Sequence, residues 1–319
     1  ARVFGKPLEP NVPATLELAK EDVAMAIQTP TIHSINPTTE EVLAEFELFS
    51  AQKINQALDE ARRAFLGWRE RSFAERADLM RRAAHNLRQN KLRYARLITL
   101  EMGKPITQAE AEIEKCAWNC DFYAEHAERM LADEHVETNA TESFIAYEPL
   151  GVILAIMPWN FPFWQVIRHA APVLMTGNTI VLKHASNVPQ CALAIEEVFR
   201  DAGFPQGVFR TLLVSSSQVP DIIGDQRIAA VTLTGSQVAS VAGRFIKKTV
   251  MELGGSDPFI VLEDADLDAA AQTGAMARCQ NTGQSCIAAK RFIVLDRVFD
   301  AFTERLVQAM ANLRVGNPM

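Results

Sequence analysis

The hydrophobic pattern before residue 150 is helical. Its first apolar run follows Ser50 and consists of Ile54, Leu58, Ala61, Phe65 and Trp68. This spacing places the run on one helix face. Ser72 and Glu75 have the spacing of a capping box that opens a second helix, and a long polar helix is predicted from about Gln108 to Leu131. Residues 1–34 show no such pattern and are predicted to be an irregular extension.

After residue 150, apolar runs alternate with helical segments. The predicted strands are residues 151–157, 178–183, 208–214 and 228–234. The predicted helices are residues 162–176, 189–202 and 217–223, with a fourth that begins at residue 236. Continuous apolar strands between helices indicate an α/β fold with a doubly wound, Rossmann-like parallel sheet. Ligands of such sheets bind outside the carboxyl ends of the strands.

Residues at the predicted helix ends support these boundaries. Gly177 and Gly203 stand where helix C-caps are expected. Asn187 stands at a predicted N-cap, with Pro189 in the first helical turn.

A second α/β unit is predicted after Lys248. Its elements are the strand TVMEL, the turn GGSDP, the strand FIVL, a helix at 266–279, the strand AKRFIVL and a helix at 298–313. This gives a division into residues 35–250 and 251–319. Because the second unit stops after so few elements, it is predicted to be an incomplete domain.

Composition narrows the class of protein. Of the 319 residues, 48% are hydrophobic and 22% are charged, which excludes intrinsic disorder. Asp and Glu outnumber Lys and Arg by 39 to 32, and the formal charge of −7 argues against binding to nucleic acid or an anionic membrane. Small-molecule chemistry is therefore the better expectation.

Residues 149–181 are the strongest candidate for a membrane span, because Arg168 is their only fully charged residue. The stretch is interrupted at Pro158, Asn160, Pro162, Pro172, Gly177 and Asn178. The remaining pieces are too short to cross a bilayer. We therefore predict buried strands and a helix here, and no membrane partner.

Cysteine usage predicts a reduced, cytoplasmic setting. The five cysteines are odd in number and lack the spacing of zinc ligands, so no metal site is expected. Charged residues interrupt the first 30 positions, which argues against a secretory signal.

Three short segments carry candidate chemistry. Glu252 in MELGG follows a predicted strand, Cys286 in NTGQSC follows a glycine-bearing loop, and Asn160 in PWNFP stands between two prolines. Taken singly, each is better explained without chemistry, as a solvated or capping glutamate, an inert core cysteine and a rigid turn. Together a thiol nucleophile, a base for water and an amide donor form a set suited to acyl transfer.

Five motifs in order, PWNFP, LKHAS, LTGS, ELGGSDP and QNTGQSC, resemble the aldehyde dehydrogenase superfamily. The residues of LKHASN and QNTGQSC resemble the same motifs in its succinate-semialdehyde dehydrogenase branch. The resemblance runs from about Ile35 to the end of the chain. It implies oxidation of an aldehyde with NAD or NADP, dinucleotide binding by residues 35–250 and a nucleophile in residues 251–319.

The resemblance also implies residue roles. Cys286 matches the nucleophile, Asn160 and the Cys286 amide match the oxyanion hole, and Glu252 matches the base that activates water. The implied cofactor-binding residues are Met157, Pro158, Trp159, Asn160, Lys183, Ser186, Gly235, Ser236 and Leu253. NADP is slightly favoured because position 186 is Ser, whereas many NAD-specific relatives have a glutamate there that repels a 2′-phosphate.

Arg168, Trp164 and Ser285 are the implied substrate-binding residues. The isolation of Arg168 in an apolar stretch supports a role in binding a substrate carboxylate, since an unpaired buried guanidinium is costly. A structural salt bridge to a distant acid is the alternative for Arg168, and a core position is the alternative for Trp164.

The sequence departs from the family pattern in three places. The family's chains continue further, so this chain is expected to hold the N-terminal two thirds of a homo-oligomeric enzyme. The helix after LTGS is short and lacks a second glycine. Cys279 replaces a common aromatic residue and could form a disulfide with Cys286. Two alternatives therefore stay open: a truncated, inactive nucleotide-binding or regulatory protein, and a thiol esterase.

Overall fold

A helical layer precedes the sheet in the chain. The computed structural model describes residues 30–234, 237–252 and 254–319. The first elements are the antiparallel strands β1 (Thr31–Ile35) and β2 (Val42–Glu47), followed by helices α1 (Ala51–Trp68), α2 (Phe73–Gln89), α3 (Lys91–Met102) and α4 (Ile106–Met130). Residues 31–34 are therefore not irregular as predicted, and residues 1–29 lie outside the described residues.

The predicted helix starts at Ser50 and Ser72 are confirmed. The Ser50 hydroxyl accepts a hydrogen bond from the Lys53 amide, and Ser72 and Glu75 form a reciprocal capping box. In α1 the predicted apolar positions from Ile54 to Trp68 are all buried. Helical periodicity was sufficient here because the apolar face of α1 packs directly on the sheet.

The central sheet is parallel and doubly wound, as predicted. After a short hairpin of β3 (Glu134–His135) and β4 (Phe144–Ile145), the elements are β5 (Val152–Met157), α5 (Trp164–Met175), β6 (Thr179–His184), α6 (Pro189–Asp201), β7 (Phe209–Thr211), α7 (Val219–Gly224), β8 (Ile228–Thr234), α8 (Gln237–Arg244) and β9 (Lys248–Glu252). The strand order is β7-β6-β5-β8-β9. The winding direction therefore reverses between β5 and β8.

Both faces of this sheet are covered. In β5, Val152 and Leu154 join the core cluster beneath α1 and α7. Ala155 and Met157 instead join the larger cluster formed with α2 to α6. Because successive strand residues point to opposite faces, two covered faces require the continuous apolar runs seen in the sequence.

The helical layer caps two helices of the sheet. The buried Glu101 carboxylate of α3 accepts hydrogen bonds from the Gln190 and Cys191 amides at 2.9 and 2.8 Å, at the start of α6. The buried Glu112 carboxylate of α4 accepts from the first amides of α5. The predicted N-cap at Asn187 is wrong, because Glu101 satisfies these donors and the N-cap residue is Val188.

The C-cap residues of α5 and α6 are Thr176 and Ala202, each one residue before the glycine predicted there. Gly177 and Gly203 follow α5 and α6 with φ values of 85° and 93°, a conformation that glycine adopts without steric cost. No helix in the described ranges has the length and apolar character that a bilayer crossing requires.

The C-terminal unit contains β10 (Asp257–Val261), α9 (Leu267–Cys279), β11 (Ala289–Val294) and α10 (Asp296–Ala311). β10 and β11 form a separate parallel pair. β9 pairs with β8 in the central sheet, so the prediction that the strand TVMEL belongs to the second unit is wrong. The boundary at residues 250 and 251 falls inside β9, and the domain division itself stays a prediction.

Candidate active site

The predicted residues lie at the carboxyl ends of neighbouring strands. Lys183 in β6 is in register with Ile156 in β5, and Glu252 in β9 is in register with Thr234 in β8. Met157 ends β5, and the turn that carries Pro158, Trp159 and Asn160 follows it. The site is therefore centred on the point where the winding reverses, which is where doubly wound sheets bind ligands.

His184 joins two loops at this edge. Its Nε2 donates to the Pro162 carbonyl at 2.9 Å, and its Nδ1 accepts from the Ala185 amide at 2.8 Å. This pairing uses the neutral imidazole with its proton on Nε2. Burial lowers the pKa of His184 to about 4, and the adjacent Lys183 charge acts in the same direction.

Lys183 is a buried cation at the carboxyl end of β6. The residue is 8% exposed, and desolvation lowers the pKa of its ammonium. No opposing carboxylate contributes to that pKa among the described residues. Ser186, in the following turn, is exposed.

The loop before Cys286 contacts the Asn160 turn. Asn160 Nδ2 donates to the Gln284 carbonyl at 2.8 Å, and Asn281 Nδ2 donates to the Asn160 carbonyl at 2.7 Å. Cys286 is exposed, whereas Ser285 is buried. The structure thus brings the candidate amide donor and the segment of the candidate nucleophile together.

Arg168 and Glu252 form an ion pair. Arg168 Nη2 lies 2.5 Å from Glu252 Oε1, and the two side chains are 33% and 51% exposed. The expectation that Arg168 is buried without a protein partner is therefore wrong. The alternative of a salt bridge to a distant acid describes this structure, and that acid is itself a candidate catalytic residue.

A cavity of about 960 Å³ lies between α4, α5, α9 and α10. Among the described candidate residues, Trp164 alone lines it, and the Lys115 ammonium lies 3.9 Å from the centre of the Trp164 ring. Trp164 is therefore a wall residue rather than a fully buried core aromatic.

Three candidate cofactor residues, Gly235, Ser236 and Leu253, lie outside the described residues. All five cysteines are described and all are free thiols, so the disulfide considered between Cys279 and Cys286 is not formed. Burial raises the pKa of the thiols of Cys116, Cys120 and Cys191. Cys286 is the exposed thiol of the five.

Sequence reasoning missed the residues that support the site. Lys104 is buried beside Glu112 and lies 4.0 Å from the centre of the Phe161 ring. Gln108 Oε1 accepts from the Asn281 amide at 2.8 Å. One signal was available for Glu112: it is an acid among the apolar positions Ala109, Ile113 and Cys116, where charge is rare unless it is paired.

Comparison with known proteins now settles the family. The sequence profile described as aldehyde dehydrogenase family matches residues 25–319. The chain belongs to the aldehyde dehydrogenase family. The carboxyl edge of the sheet is therefore the candidate active site of an aldehyde dehydrogenase family member.

The similar proteins include named succinate-semialdehyde dehydrogenases. The probable NADP(+) enzyme of Synechocystis is 56% identical over 90% of this chain. NADP(+) enzyme 1 of Mycobacterium tuberculosis is 51% identical over 90% of this chain. This aldehyde dehydrogenase family member spans 64% and 65% of those two proteins.

A solved structure is similar over the same range. The succinic semialdehyde dehydrogenase of Streptococcus pyogenes in complex with NADP+ gives a TM-score of 0.88 at 38% identity. The match covers 90% of this chain and 65% of that one.

Proposed function

We propose that this protein oxidises an aldehyde to a carboxylic acid with NAD(P), and that the substrate is succinate semialdehyde or a similar short acid aldehyde. One contact carries the proposal: Asn160 donates to the Gln284 carbonyl, two residues before the exposed Cys286 thiol. An amide donor and a nucleophile thus share the edge where doubly wound sheets bind dinucleotides. The names of the similar proteins support the cofactor and the substrate class.

The chemistry that we assign begins at Cys286. Its thiolate adds to the aldehyde carbon, and negative charge develops on the aldehyde oxygen. Asn160 Nδ2 has two protons, of which one is donated to Gln284. The second, with the Cys286 backbone amide, is assigned to that oxygen.

A thioester links the two halves of the reaction. Loss of a hydride from the thiohemiacetal carbon leaves the acid bound to Cys286 as a thioester. Glu252 is assigned to take a proton from water, which attacks the thioester carbon. The carboxylic acid then leaves and the Cys286 thiol is restored.

The strand ends fit a dinucleotide. The buried Lys183 ammonium has no charged partner that perturbs its pKa among the described residues, and ligand oxygens would satisfy it. Ser186 presents no carboxylate to a 2′-phosphate, so we assign NADP ahead of NAD. When bound, the nicotinamide ring supplies the hydride acceptor. The turn of Met157, Pro158 and Trp159 is assigned to the wall of this site.

Arg168 is assigned to the substrate carboxylate, with Trp164 and Ser285 beside the substrate. The guanidinium is one third exposed while it pairs with Glu252, so a second carboxylate can reach it. Substrate and Glu252 would then share one guanidinium. Sharing would weaken the hold of Arg168 on Glu252, which frees that carboxylate for its role as the base.

The test compares two aldehydes of similar length, succinate semialdehyde and butanal, with NADP or NAD as the acceptor. We expect reduction of NADP with succinate semialdehyde, and Arg168→Leu should lower kcat/KM for that substrate by roughly 10- to 100-fold more than for butanal. Arg210→Leu is the matched control, because Arg210 is 31% exposed and pairs with Glu196 at 2.6 Å.

Three outcomes contradict parts of the proposal. Equal losses on both aldehydes would make Arg168 structural. Ester hydrolysis without nicotinamide reduction would favour the thiol esterase. Nucleotide binding with neither activity would favour a regulatory role.

A further inference from the structure

The loop before Cys286 has a strained backbone. Asn281, Thr282 and Gly283 adopt left-handed conformations in succession, with φ values of 57°, 54° and 77°. Glycine accepts this conformation and asparagine tolerates it, but threonine is branched at Cβ and rarely adopts it. Such a backbone persists only where the surrounding contacts hold it in place.

Asn281 makes three of those contacts. The residue is 1% exposed. Its Nδ2 donates to the Asn160 carbonyl at 2.7 Å and lies 3.5 Å from the Gln284 carbonyl. The Gln284 carbonyl also accepts a hydrogen bond from Asn160 Nδ2. The Asn281 side-chain amide therefore contacts both the Asn160 turn and the loop before Cys286.

The contacts of Asn281 with Asn160 and Gln284 form a clamp, and this clamp extends to the helical layer. Gln108, near the start of α4, accepts from the Asn281 backbone amide at 2.8 Å. Gln108 and Asn281 both line the cavity between α4 and α9. α4 is also fixed to the start of α5, which follows the Asn160 turn, because Glu112 accepts from the Phe163 amide.

We propose that Asn281 and Gln108 are positioning residues that hold the Cys286 loop against the Asn160 turn. The inference rests on the proposed function, since it assigns these residues to the placement of a nucleophile beside its oxyanion donor. Neither side chain reacts. Each fixes where the reacting groups stand before the substrate binds.

The Asn281 side chain and its backbone strain can be separated by substitution. Asn281→Gly keeps the left-handed conformation at lower strain but removes the amide. Asn281→Asp keeps the shape but turns a carboxylate oxygen towards two carbonyl oxygens. Gln108→Leu removes the acceptor, whereas Gln108→Glu retains it. Gln272→Leu is the matched control, because Gln272 lines the same cavity and is exposed.

Two readouts are measured on the whole protein. The first is amide hydrogen exchange of residues 281–286, which needs neither cofactor nor aldehyde. The second is the pre-steady-state burst of reduced nicotinamide, with KM for the cofactor recorded alongside it. We expect faster exchange and a burst slower by roughly 10- to 100-fold in Asn281→Gly, Asn281→Asp and Gln108→Leu, with the cofactor KM unchanged. Gln108→Glu should restore the burst, and Gln272→Leu should leave both readouts unchanged.

A burst within about twofold of the parent in Asn281→Gly would overturn the proposal, because relief of strain would then replace the clamp without loss. Faster exchange with an intact burst would overturn it equally. If the parent itself gives no burst, the proposed function fails separately. The rate of Cys286 alkylation by iodoacetamide then replaces the burst, and unchanged alkylation and exchange in the glycine variant overturn the clamp.

Discussion

The central sheet and the β10–β11 pair look alike in sequence but are covered differently. β6 is buried along its whole length, between helices on both faces. In β10 and β11, Phe259 and Phe292 pack against α9 and α10, while Ile260 and Ile293 on the opposite face are exposed. An apolar run therefore predicts a strand, but it does not predict what covers each face.

The two regions also differ in their expected roles. Most of the buried core lies around the central sheet, whereas the candidate nucleophile lies in the C-terminal unit. The larger core cluster joins α2 to α6 with β5 and β6, whereas the cluster of the C-terminal unit has three buried members, Val261, Ala271 and Phe302. The candidate nucleophile belongs to the thinly packed region. Segments with few buried contacts open more readily than a core does. We therefore expect the scaffold and the reacting loop to respond separately to substitution.

Cys286→Ala should have the largest effect. Loss of a covalent nucleophile costs several powers of ten in turnover, roughly 10³ or more, while NADP binding at the sheet edge stays largely intact. Steady-state kinetics and a cofactor titration measure the two effects. Turnover within about tenfold of the parent would remove Cys286 from its assigned role. Cys279→Ala is the matched control.

Phe302→Ala tests whether the two regions unfold independently. The Phe302 ring is buried against Phe259 and Phe292, with ring centroids 6.4 and 6.1 Å away. The cavity should cost about 3–5 kcal/mol, concentrated in the C-terminal unit. Hydrogen exchange should accelerate in β10 and β11 and remain slow in β5 and β6.

Phe199→Ala is the comparison variant, because Phe199 is equally buried against Phe204 and Phe209 in the larger cluster. It should accelerate exchange in the central sheet instead. Equal effects of both variants on both regions would show one cooperative unit.

Acid should destabilise the central sheet through His184. Its pKa is about 4 in the folded protein against 6.5 for a free imidazole, so the unfolded chain binds the proton first as the pH falls. Stability is therefore retained above pH 6.5 and lost between pH 6.5 and 4, by up to about 3 kcal/mol for this group. His169 shifts in the same direction.

Glu101 has the opposite effect on the pH dependence of stability. Burial raises the pKa of its carboxyl, so ionisation of Glu101 lowers the free energy of unfolding as the pH rises. The measurement is therefore the difference in unfolding free energy between the parent and His184→Gln across this pH range. A difference that does not change with pH would mean that the pKa of His184 is the same in the folded and unfolded protein.

Ser186→Glu should have the smallest effect, and that effect should be confined to the binding of the cofactor at the edge of the sheet. A carboxylate near the 2′-phosphate should lower kcat/KM for NADP by about tenfold, or 1.4 kcal/mol, without a comparable loss for NAD. Thermal unfolding should not change, since Ser186 is exposed. Asn187→Glu adds the same charge at the adjacent exposed position. An equal loss in both variants would indicate a general charge effect.

Sequence pattern predicted what is local in this fold. The run at 151–157 became β5, and the capping box at Ser72 formed, because both depend on neighbouring residues. The cap of α6 could not be predicted, since it comes from Glu101 on another helix. The sequence TVMEL predicts a strand, but it does not predict which sheet that strand joins.

The candidate site divides in the same way. The sequence motifs predicted Asn160, Glu252 and Cys286 as site residues, but they do not predict which residues contact one another in the fold. The pairing of Arg168 with Glu252 and the contact of Gln108 with Asn281 both join residues far apart in the chain. Such pairs depend on how the helical layer and the sheet pack, which a single sequence does not reveal.

A ribosome releases α3 and α4 before it has made α5 and α6. Glu101 and Glu112 therefore leave the ribosome with the partners Ser34 and Lys104 but without the amides that they will cap. Burial of a carboxylate with only some of its hydrogen bonds made is costly. Synthesis of the later helices supplies those amides and removes the obstacle. Both carboxylates therefore gain their full set of hydrogen bonds only after α5 and α6 have been synthesised, which links completion of the helical layer to completion of the sheet.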